Sequence, residues 1–296
     1  MFLEMWTSIN GTILILLFIL QIMYKILSSE ELRKIIAAIE NGEKSVSVSF
    51  DLGYSGKKEI VGLFNRGFVV DSKEIKVDNI RDDDKSCYLV LDDCLEKAQY
   101  VSRDVGGIYR LVPTQARPIL QISGTSMHKQ SFIERIEKDR LYGNILDAGT
   151  GLGYTAIACG KNRAVKKVTT IEIDPMILDI QKINPYSQEL FLNKKISLVH
   201  GNLTEEVLGF LDGEFSFIIL DGGTPRSSEG FFSLRNYEQI FRVLRNGGKL
   251  YHYVPNPKVK SGKDFGAHIS SFLKKAGFTK IERDKEGSYL VARKMR

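Results

Sequence analysis

The amino-acid sequence predicts an α/β protein whose main part is a doubly wound, mostly parallel sheet of seven strands. Two observations support this class. From Asn144 onward, apolar runs alternate with helical patterns, as expected where a crossover helix follows each strand. The stretch LDAGTGLGYTAIA, residues 146–158, places three glycines where one apolar run gives way to a helical pattern. A small, mostly β domain and an N-terminal hydrophobic helix are predicted to precede this part.

The N-terminal stretch, residues 1–27, is predicted to be a hydrophobic leader or membrane anchor. Met5–Tyr24 has twenty residues without a charge, which is the length of a membrane-spanning helix. Basic residues follow it and only Glu4 precedes it, so an anchor here would leave the rest of the chain in the cytoplasm. Two alternatives stay open: the helix packs on the protein itself, or translation starts at Met23.

Residues 28–125 are predicted to form the small, mostly β domain. A short amphipathic helix begins at Ser28, where a serine cap precedes early acids, later basic residues and a closing Asn-Gly. Short apolar runs then continue to about residue 125, and glycine-containing and charged turns separate them. None of these runs has the spacing of a catalytic motif.

Residues 126–296 are predicted to form the α/β domain. Its strand-like runs are NILDAG, KVTTIEI, ISLVHG, FSFIILDG and GKLYHYV. Four helical patterns alternate with them: GYTAIACGKN, DPMILDIQKI, RNYEQIFRVLRN and FGAHISSFLKKAG. The last two runs, TKIERD and SYLVARK, follow each other closely and predict an antiparallel hairpin at the sheet edge.

Composition and charge restrict the class of protein. With 43% hydrophobic and 26% charged residues, the chain is typical of a folded globular protein. The net charge is +6, and the excess lies C-terminal to Tyr251, where 11 Lys and Arg face 4 Asp and Glu. This excess suits either a nucleic-acid surface or a solvated face. The three cysteines form neither a disulfide framework nor a metal motif, so no metal is predicted.

The glycine loop predicts a nucleoside site. Gly149, Gly151 and Gly153 follow Asp147 at a strand-to-helix turn, where glycine lets the backbone approach a ligand. Glu172 ends the next strand, where its carboxylate can accept hydrogen bonds from two ribose hydroxyls. The Gly-x-Gly-x-Gly spacing differs from the dinucleotide fingerprint, and the Gly-Lys-Ser/Thr of a phosphate-binding P-loop is missing.

These motifs resemble the class I S-adenosylmethionine-dependent methyltransferases, which have a Rossmann-like sheet. Their acid-x-Gly-x-Gly-x-Gly motif matches Asp147 to Gly153, their ribose acid matches Glu172, and their acid after the fourth strand matches Asp221. Where they often carry an adenine-binding Asp, this chain has Asn202, whose carbonyl oxygen can still accept from the adenine amino group. The resemblance implies that S-adenosyl-L-methionine is the cofactor, held by Asp147, Gly149, Thr150, Gly151, Gly153, Tyr154, Glu172, Ile173, Gly201 and Asn202.

The resemblance narrows to a predicted archaeal methyltransferase family that has an N-terminal domain before the cofactor domain. The stretches NPYSQELF, NYEQIFRVLRNGGKLYHYVPNP and ISGTSMHK carry it, from about Ser28 to the end of the chain. That family usually has Asp-Pro-Pro after the fourth strand, as enzymes that methylate amino groups do. Here the sequence is Asp-Gly-Gly-Thr-Pro from Asp221, which weakens the inference of an amino-group acceptor.

Three residues are candidates for catalysis. Asp221 would orient the nucleophile or take its proton, and capping or ordering of the cofactor is its alternative role. His128 and His252 are candidate bases, although a lone histidine is more often structural. The aromatic residues of the segment after Asp221 either contact substrate or pack in the core; they are Phe231, Phe232 and Tyr237.

The methyl acceptor stays open among RNA, a protein side chain and a small molecule, and membrane association through residues 5–24 is a further expectation. Two other functions are considered. Spermidine synthases share the predicted sheet and the preceding β domain, but the loop after Asp221 supplies only Glu229, beside Arg226, to hold a polyamine. A binding protein with a vestigial cofactor site is the third hypothesis, and the intact glycine loop argues against it.

Overall fold

The computed structural model describes residues 24–102, 107–127, 130–222, 230–254 and 264–295. Its N-terminal part has one helix and short strands. In chain order these are β1 (Ile26–Ser28), α1 (Ser29–Glu40), β2 (Ser45–Val48), β3 (Glu59–Phe64), β4 (Gly67–Val70), β5 (Lys73–Lys76), β6 (Cys87–Val90), β7 (Leu95–Lys97), β8 (Gln99–Val101), β9 (Ile108–Val112), β10 (Ile119–Ile122) and β11 (Thr125–Ser126).

Helix α1 begins where the sequence predicts it. The Ser28 hydroxyl accepts a hydrogen bond from the Glu31 amide at 3.1 Å and so caps the first turn. Leu32 and Ile35 are buried on one face of the helix and pack in a core with Val48 and Phe68. The strands pair in three antiparallel sheets with the orders β1-β6-β7, β2-β3-β4-β5 and β11-β10-β9-β8. A mostly β N-terminal part is therefore confirmed.

The rest of the chain alternates helices with strands, as predicted. The elements are α2 (Gln130–Glu137), β12 (Gly143–Ala148), α3 (Tyr154–Lys161), β13 (Val165–Glu172), α4 (Pro175–Ile183), α5 (Glu189–Leu192), β14 (Ile196–His200), α6 (Leu203–Glu206), β15 (Phe215–Leu220), α7 (Leu234–Val243), β16 (Leu244–Tyr253), α8 (Phe265–Lys275), β17 (Thr279–Asp284) and β18 (Tyr289–Arg293).

These strands form one mixed sheet of seven with the order β14-β13-β12-β15-β16-β18-β17. The first five strands are parallel, while β18 pairs antiparallel with both β16 and β17. The predicted edge hairpin is thus confirmed. With the three N-terminal sheets included, antiparallel pairs outnumber parallel ones among the described strands. The parallel arrangement is confined to β14, β13, β12, β15 and β16 of the large sheet.

The topology places polar residues together at the carboxyl ends of the parallel strands. The chain order reverses between β12 and β15, which is the switch point where open α/β sheets bind ligands. Strands β12, β13 and β15 end there at Ala148, Glu172 and Leu220. The loop after β12, the acid at the end of β13 and the residue after β15 therefore share one rim.

The N-terminal part packs directly against the α/β part. Leu111 and Leu120 share a buried cluster with Leu152 and Ile180. The Tyr109 hydroxyl also donates to Asp174 Oδ2 at 2.6 Å. The predicted domain limits, 1–27, 28–125 and 126–296, stay predictions, since β1 and β11 each lie across one of them.

Most of the predicted leader, residues 1–23, lies outside the described residues, and so does most of the expected anchor or packed helix. Within the described ranges, no helix has the length and apolar character needed to cross a membrane.

Candidate active site

The glycine loop lies between the ends of strands β13 and β15. Gly149, Gly151 and Gly153 have φ values of 88°, 54° and 81°, a region that favours glycine. The Gly149 amide donates to the Ile171 carbonyl on β13 at 3.0 Å. On its other side, a Cβ at Gly149 would lie 1.7 Å from the Asp221 carbonyl oxygen. The sequence places glycine here because no side chain fits between β13 and β15.

Asp147 lies beneath this loop and is fully buried. Its carboxylate accepts from the Thr155 hydroxyl at 2.9 Å and the Thr170 hydroxyl at 2.7 Å. Because the Thr170 hydroxyl donates its proton to Asp147, it can only accept from the Thr150 hydroxyl, which lies 2.7 Å away. Burial raises the pKa of Asp147 to about 6, against the effect of the two threonines. Asp147 and Thr150 thus support the loop from below, whereas the sequence predicts them as cofactor contacts.

Glu172 faces the loop from the end of β13. Its Oε2 accepts from the Gly151 amide at 2.9 Å, and its Oε1 accepts from the amides of Ile173 and Asp174 at 3.0 Å each. A carboxylate has about four acceptor positions, so one remains for a ligand. The predicted bonds to two ribose hydroxyls are therefore reduced to one. Burial is the main cause that raises the pKa of Glu172 to about 7.

Two neighbours of Glu172 extend this part of the rim. Ile173 is 61% exposed, so its side chain is accessible at this part of the rim. Gln181 on α4 donates from Nε2 to the Gly151 carbonyl at 2.6 Å. Gln181 is not among the predicted site residues, because nothing in a helical pattern tells which polar residue turns back toward a preceding loop.

Gly201 and Asn202 follow β14. The Gly201 amide donates to the Glu172 carbonyl at 2.9 Å, and a Cβ there would lie 2.6 Å from Glu206 Oε1. Asn202 Oδ1 accepts from the Thr204 amide at 3.1 Å and the Thr204 hydroxyl at 2.9 Å, which caps α6. The oxygen predicted to bind the adenine amino group is therefore already occupied.

Tyr154, also predicted as a cofactor contact, lies 4% exposed at the junction with the N-terminal part. Its hydroxyl donates to the Pro118 carbonyl at 2.7 Å and accepts from Asn184 Nδ2 at 3.1 Å. The side chain therefore joins the two parts of the protein and does not face the rim.

Asp221 lies directly after β15, and its amide donates to the Ala148 carbonyl at 2.8 Å. The residue is half-buried. Desolvation, followed by the negative charges of Asp147 and Glu172, raises the pKa of Asp221 to about 8. The structure thus brings three carboxyl groups together at the switch point, and the described residues supply no cation to balance them.

Tyr253 ends β16 close to Asp221. Burial, and next the Asp221 charge, raise the pKa of Tyr253 to about 12. Its ring lies 5.9 Å from that of Phe132. Tyr253 is a further residue absent from the predicted site, although its position at the end of the strand beside β15 could have revealed it.

His252 has a structural environment. It is fully buried, its Nε2 accepts from the Tyr237 hydroxyl at 2.8 Å, and its Nδ1 donates to the Tyr253 carbonyl at 2.7 Å. Burial lowers the pKa of His252 to about 4, so the ring is neutral. This corrects its prediction as a base, because both ring nitrogens are engaged away from the rim.

The aromatic residues after Asp221 are mostly core residues. Phe232 stacks on His252 at 5.7 Å and, like Tyr237, is buried. Phe231 is half-buried, with its ring against Gly222. The other candidate base, His128, and the loop residues 223–229 lie outside the described part of the chain. Among the described residues, no group of three or more His, Cys, Asp or Glu side chains is arranged to hold a metal ion.

The carboxyl cluster predicts a pH dependence of stability. Between about pH 6.5 and 8, the native protein holds protons on Glu172 and Asp221 that the unfolded chain, with carboxyl pKa values near 4, has released. The free energy of unfolding should therefore fall as the pH rises through this window. Below about pH 6.5, the low pKa of buried His252 acts in the opposite direction. Urea unfolding at several pH values measures this slope.

The variant Asp221→Asn provides the control, since it removes one of the two titrating groups and should reduce the slope. A free energy of unfolding that rises between pH 6.5 and 8, or a slope that Asp221→Asn leaves unchanged, would contradict the raised pKa values.

Comparison with known proteins places the chain in a family. No protein-family model matches it. It is 33% identical over 279 residues to the uncharacterized protein MJ1233 of Methanocaldococcus jannaschii, which covers 89% of this chain and 94% of the relative. It is 27% identical over 106 residues to putrescine N-methyltransferase 1 of Nicotiana tabacum, covering 35% of this chain and only 28% of that protein.

Among solved structures, spermidine synthase from Thermotoga maritima superposes with a TM-score of 0.54 and 17% identity, over 66% of this chain and 70% of that chain. This likeness shows the fold. The extent of the match to MJ1233 confirms the predicted resemblance to an archaeal family. The chain belongs to the same family as protein MJ1233 of Methanocaldococcus jannaschii, and it has the spermidine synthase type of α/β fold.

Proposed function

We propose that the protein is an S-adenosylmethionine-dependent methyltransferase. The observation that carries this proposal is the rim at the switch point, where the glycine loop is held between Glu172 and the Asp221 backbone. A loop with three left-handed glycines exposes backbone at the start of α3, and an acid with one free acceptor position faces it. This combination suits a nucleoside ligand.

The charges at the rim suit a cationic donor. Burial disfavours the ionised forms of Glu172 and Asp221, and the described residues around them provide no balancing cation. A sulfonium ion supplies the missing positive charge, which would favour the ionised carboxyl groups. Glu172 would accept from one ribose hydroxyl, and Ile173 would cover the adenine ring.

The residues that remain can position an acceptor. The bound donor supplies an electrophilic methyl group and a neutral leaving group, so the protein mainly has to orient the nucleophile. Asp221 can accept a hydrogen bond from the incoming group, and Tyr253 beside it can form part of the acceptor wall. The acceptor itself is RNA, a protein side chain or a small molecule.

Aminopropyl transfer is the second candidate. The superposition on spermidine synthase and the partial match to a putrescine N-methyltransferase both support an amine acceptor. Against this, the sequence of the loop after Asp221 contains one acid, Glu229, beside Arg226. A diamine needs negative groups at both ends, so methyl transfer is the better-supported reaction.

Calorimetric titration tests the proposal. S-adenosylmethionine should give a saturable heat with one site per chain. In a parallel assay, decarboxylated S-adenosylmethionine with putrescine should give no transfer, and aminopropyl transfer from it would favour the second candidate. The absence of both heat and transfer would support a vestigial site and contradict the proposal.

Glu172→Gln should weaken the binding of S-adenosylmethionine. The substitution keeps the shape and one carbonyl oxygen, which can still accept from the Ile173 and Asp174 amides, but its NH2 group can accept neither from the ribose nor from the Gly151 amide. Since a hydrogen bond to a charged group contributes about 1.5–3 kcal/mol, the affinity should fall roughly tenfold to a hundredfold. The same titration measures the loss.

Glu205→Gln is the matched control, because Glu205 is an exposed acid after the adjacent strand β14. It should bind the donor as the wild type does. Equal affinity in Glu172→Gln and in the wild type would remove Glu172 from the donor site.

A further inference from the structure

A cavity of about 430 Å³ opens at the end of the large sheet opposite to the rim. It lies between the segment that joins α2 to β12 and the adjacent strands β15, β16 and β18. Its polar and aromatic lining includes Lys138, Asp139, Arg140, Tyr142, Lys249 and Arg293. The parallel strands begin at this end of the sheet, so the cavity shares no residue with the rim that carries Glu172 and Asp221.

Strand register brings two of its cations together. Lys249 on β16 pairs with Phe217 on β15 and with Arg293 on β18. Directly opposed residues of neighbouring strands point to the same face of a sheet, and like charges in such a pair repel. Lys249 and Arg293 therefore require negative charge beside them.

The cavity contains one acid, and it is already engaged. Asp139 accepts from Lys249 at 3.2 Å and from the Tyr251 hydroxyl, and it forms an ion pair with Arg135 at 3.1 Å. One carboxylate thus forms ion pairs with both Lys249 and Arg135. Three further cations, Lys138, Arg140 and Arg293, have no ion pair with any described residue. Positive charges near the C-terminus of a helix interact favourably with the helix dipole, which accounts for Lys138 and Arg140 after α2. Arg293, on a strand, has no such reason.

We infer that this cavity binds a small ligand that carries one or more phosphate groups. The unbalanced positive charge supplies the attraction, and the arginine guanidinium groups match phosphate oxygens in two-point contacts. The volume is within the range of pockets for small molecules. This site is independent of the proposed methyl transfer.

Inorganic pyrophosphate is a suitable probe. Titrated into the full-length protein at fixed ionic strength, it should bind with a saturable heat. Arg293→Gln and Arg140→Gln should each weaken that binding about tenfold or more, since each removes a charged contact. Both cations lack an ion pair among the described residues, so the variants should fold and should still bind S-adenosylmethionine as the wild type does.

Lys58→Gln, at an exposed position of the N-terminal part, removes one positive charge from a part that supplies no residue to the cavity lining, and it should leave pyrophosphate binding unchanged. An equal loss in this control would show general charge attraction and overturn the inference, as would the absence of saturable binding. Single-stranded RNA that binds through Arg140 and Arg293 more tightly than pyrophosphate or a mononucleotide would also overturn it, in favour of a nucleic-acid surface.

Discussion

Gly149→Ala is expected to abolish donor binding and to destabilise the fold. The new Cβ would lie 1.7 Å from the Asp221 carbonyl oxygen, which is a backbone atom at the end of a central strand and cannot turn aside. The φ of 88° adds strain for alanine. Because the loop must separate from β15, the free energy of unfolding should fall by about 3 kcal/mol or more. Urea unfolding and calorimetric titration with S-adenosylmethionine measure the two effects.

Gly124→Ala is the matched control. Gly124 has a similar φ of 85°, but a Cβ added there would meet no atom within 4 Å. This substitution carries the left-handed strain without the collision, so it should cost about 1 kcal/mol and leave donor affinity unchanged. If Gly149→Ala behaves as Gly124→Ala does, the loop does not depend on the close approach to β15.

Asp221→Asn is expected to lower methyl transfer by roughly 10²–10⁴-fold, the usual contribution of a general base. The amide keeps the shape of the side chain but cannot take a proton from the nucleophile. Donor affinity should fall far less than the rate, because Glu172 and the loop make the ribose contacts and only the attraction between Asp221 and the sulfonium is lost. The measurement is the initial rate of S-adenosylhomocysteine formation in a cell extract that supplies the acceptor.

Two outcomes of this experiment separate the roles of Asp221. Full turnover in Asp221→Asn would limit the residue to positioning and direct attention to His128 as the base. Loss of donor binding together with turnover would make Asp221 a donor-binding residue. Glu172→Gln is expected to show the pattern of that second role, so the two variants belong in one experiment.

The local pattern is sufficient to predict the glycine loop and Glu172. Strand, turn and helix follow one another within the sequence around Gly149, and the parallel topology places the ends of the two strands side by side. Helices α1, α3, α4, α7 and α8 and the edge hairpin are predictable for the same reason, since their periodicity and capping are local. The shorter helices α2, α5 and α6 are not among the predicted elements.

The directions of individual side chains are not predictable in this way. Asp147 and Tyr154 are adjacent to the loop in sequence, but one points beneath it and the other toward Pro118. His252 follows an apolar run, and only the packing of α7 against β16 shows that Tyr237 occupies its Nε2. Such contacts depend on tertiary structure.

Asn202 is a different case, because its role is visible in the sequence. The segment Asn-Leu-Thr-Glu-Glu has the polar first residue and early acids of a helix start, and Asn202 caps α6 in the structure. Asn202 also matches an adenine-binding position of the methyltransferases, and its predicted role rests on that match instead of on the helix cap.

Transfer of the methyl group is the central claim, and a labelled donor tests it directly. S-adenosylmethionine labelled in its methyl group is incubated with the protein and cell extract, and the extract is then separated into RNA, protein and small-molecule fractions. We predict that label enters one fraction with the wild-type protein and falls sharply with Asp221→Asn. Donor that binds but leaves every fraction unlabelled, or label in equal amounts with both proteins, would contradict methyl transfer through Asp221.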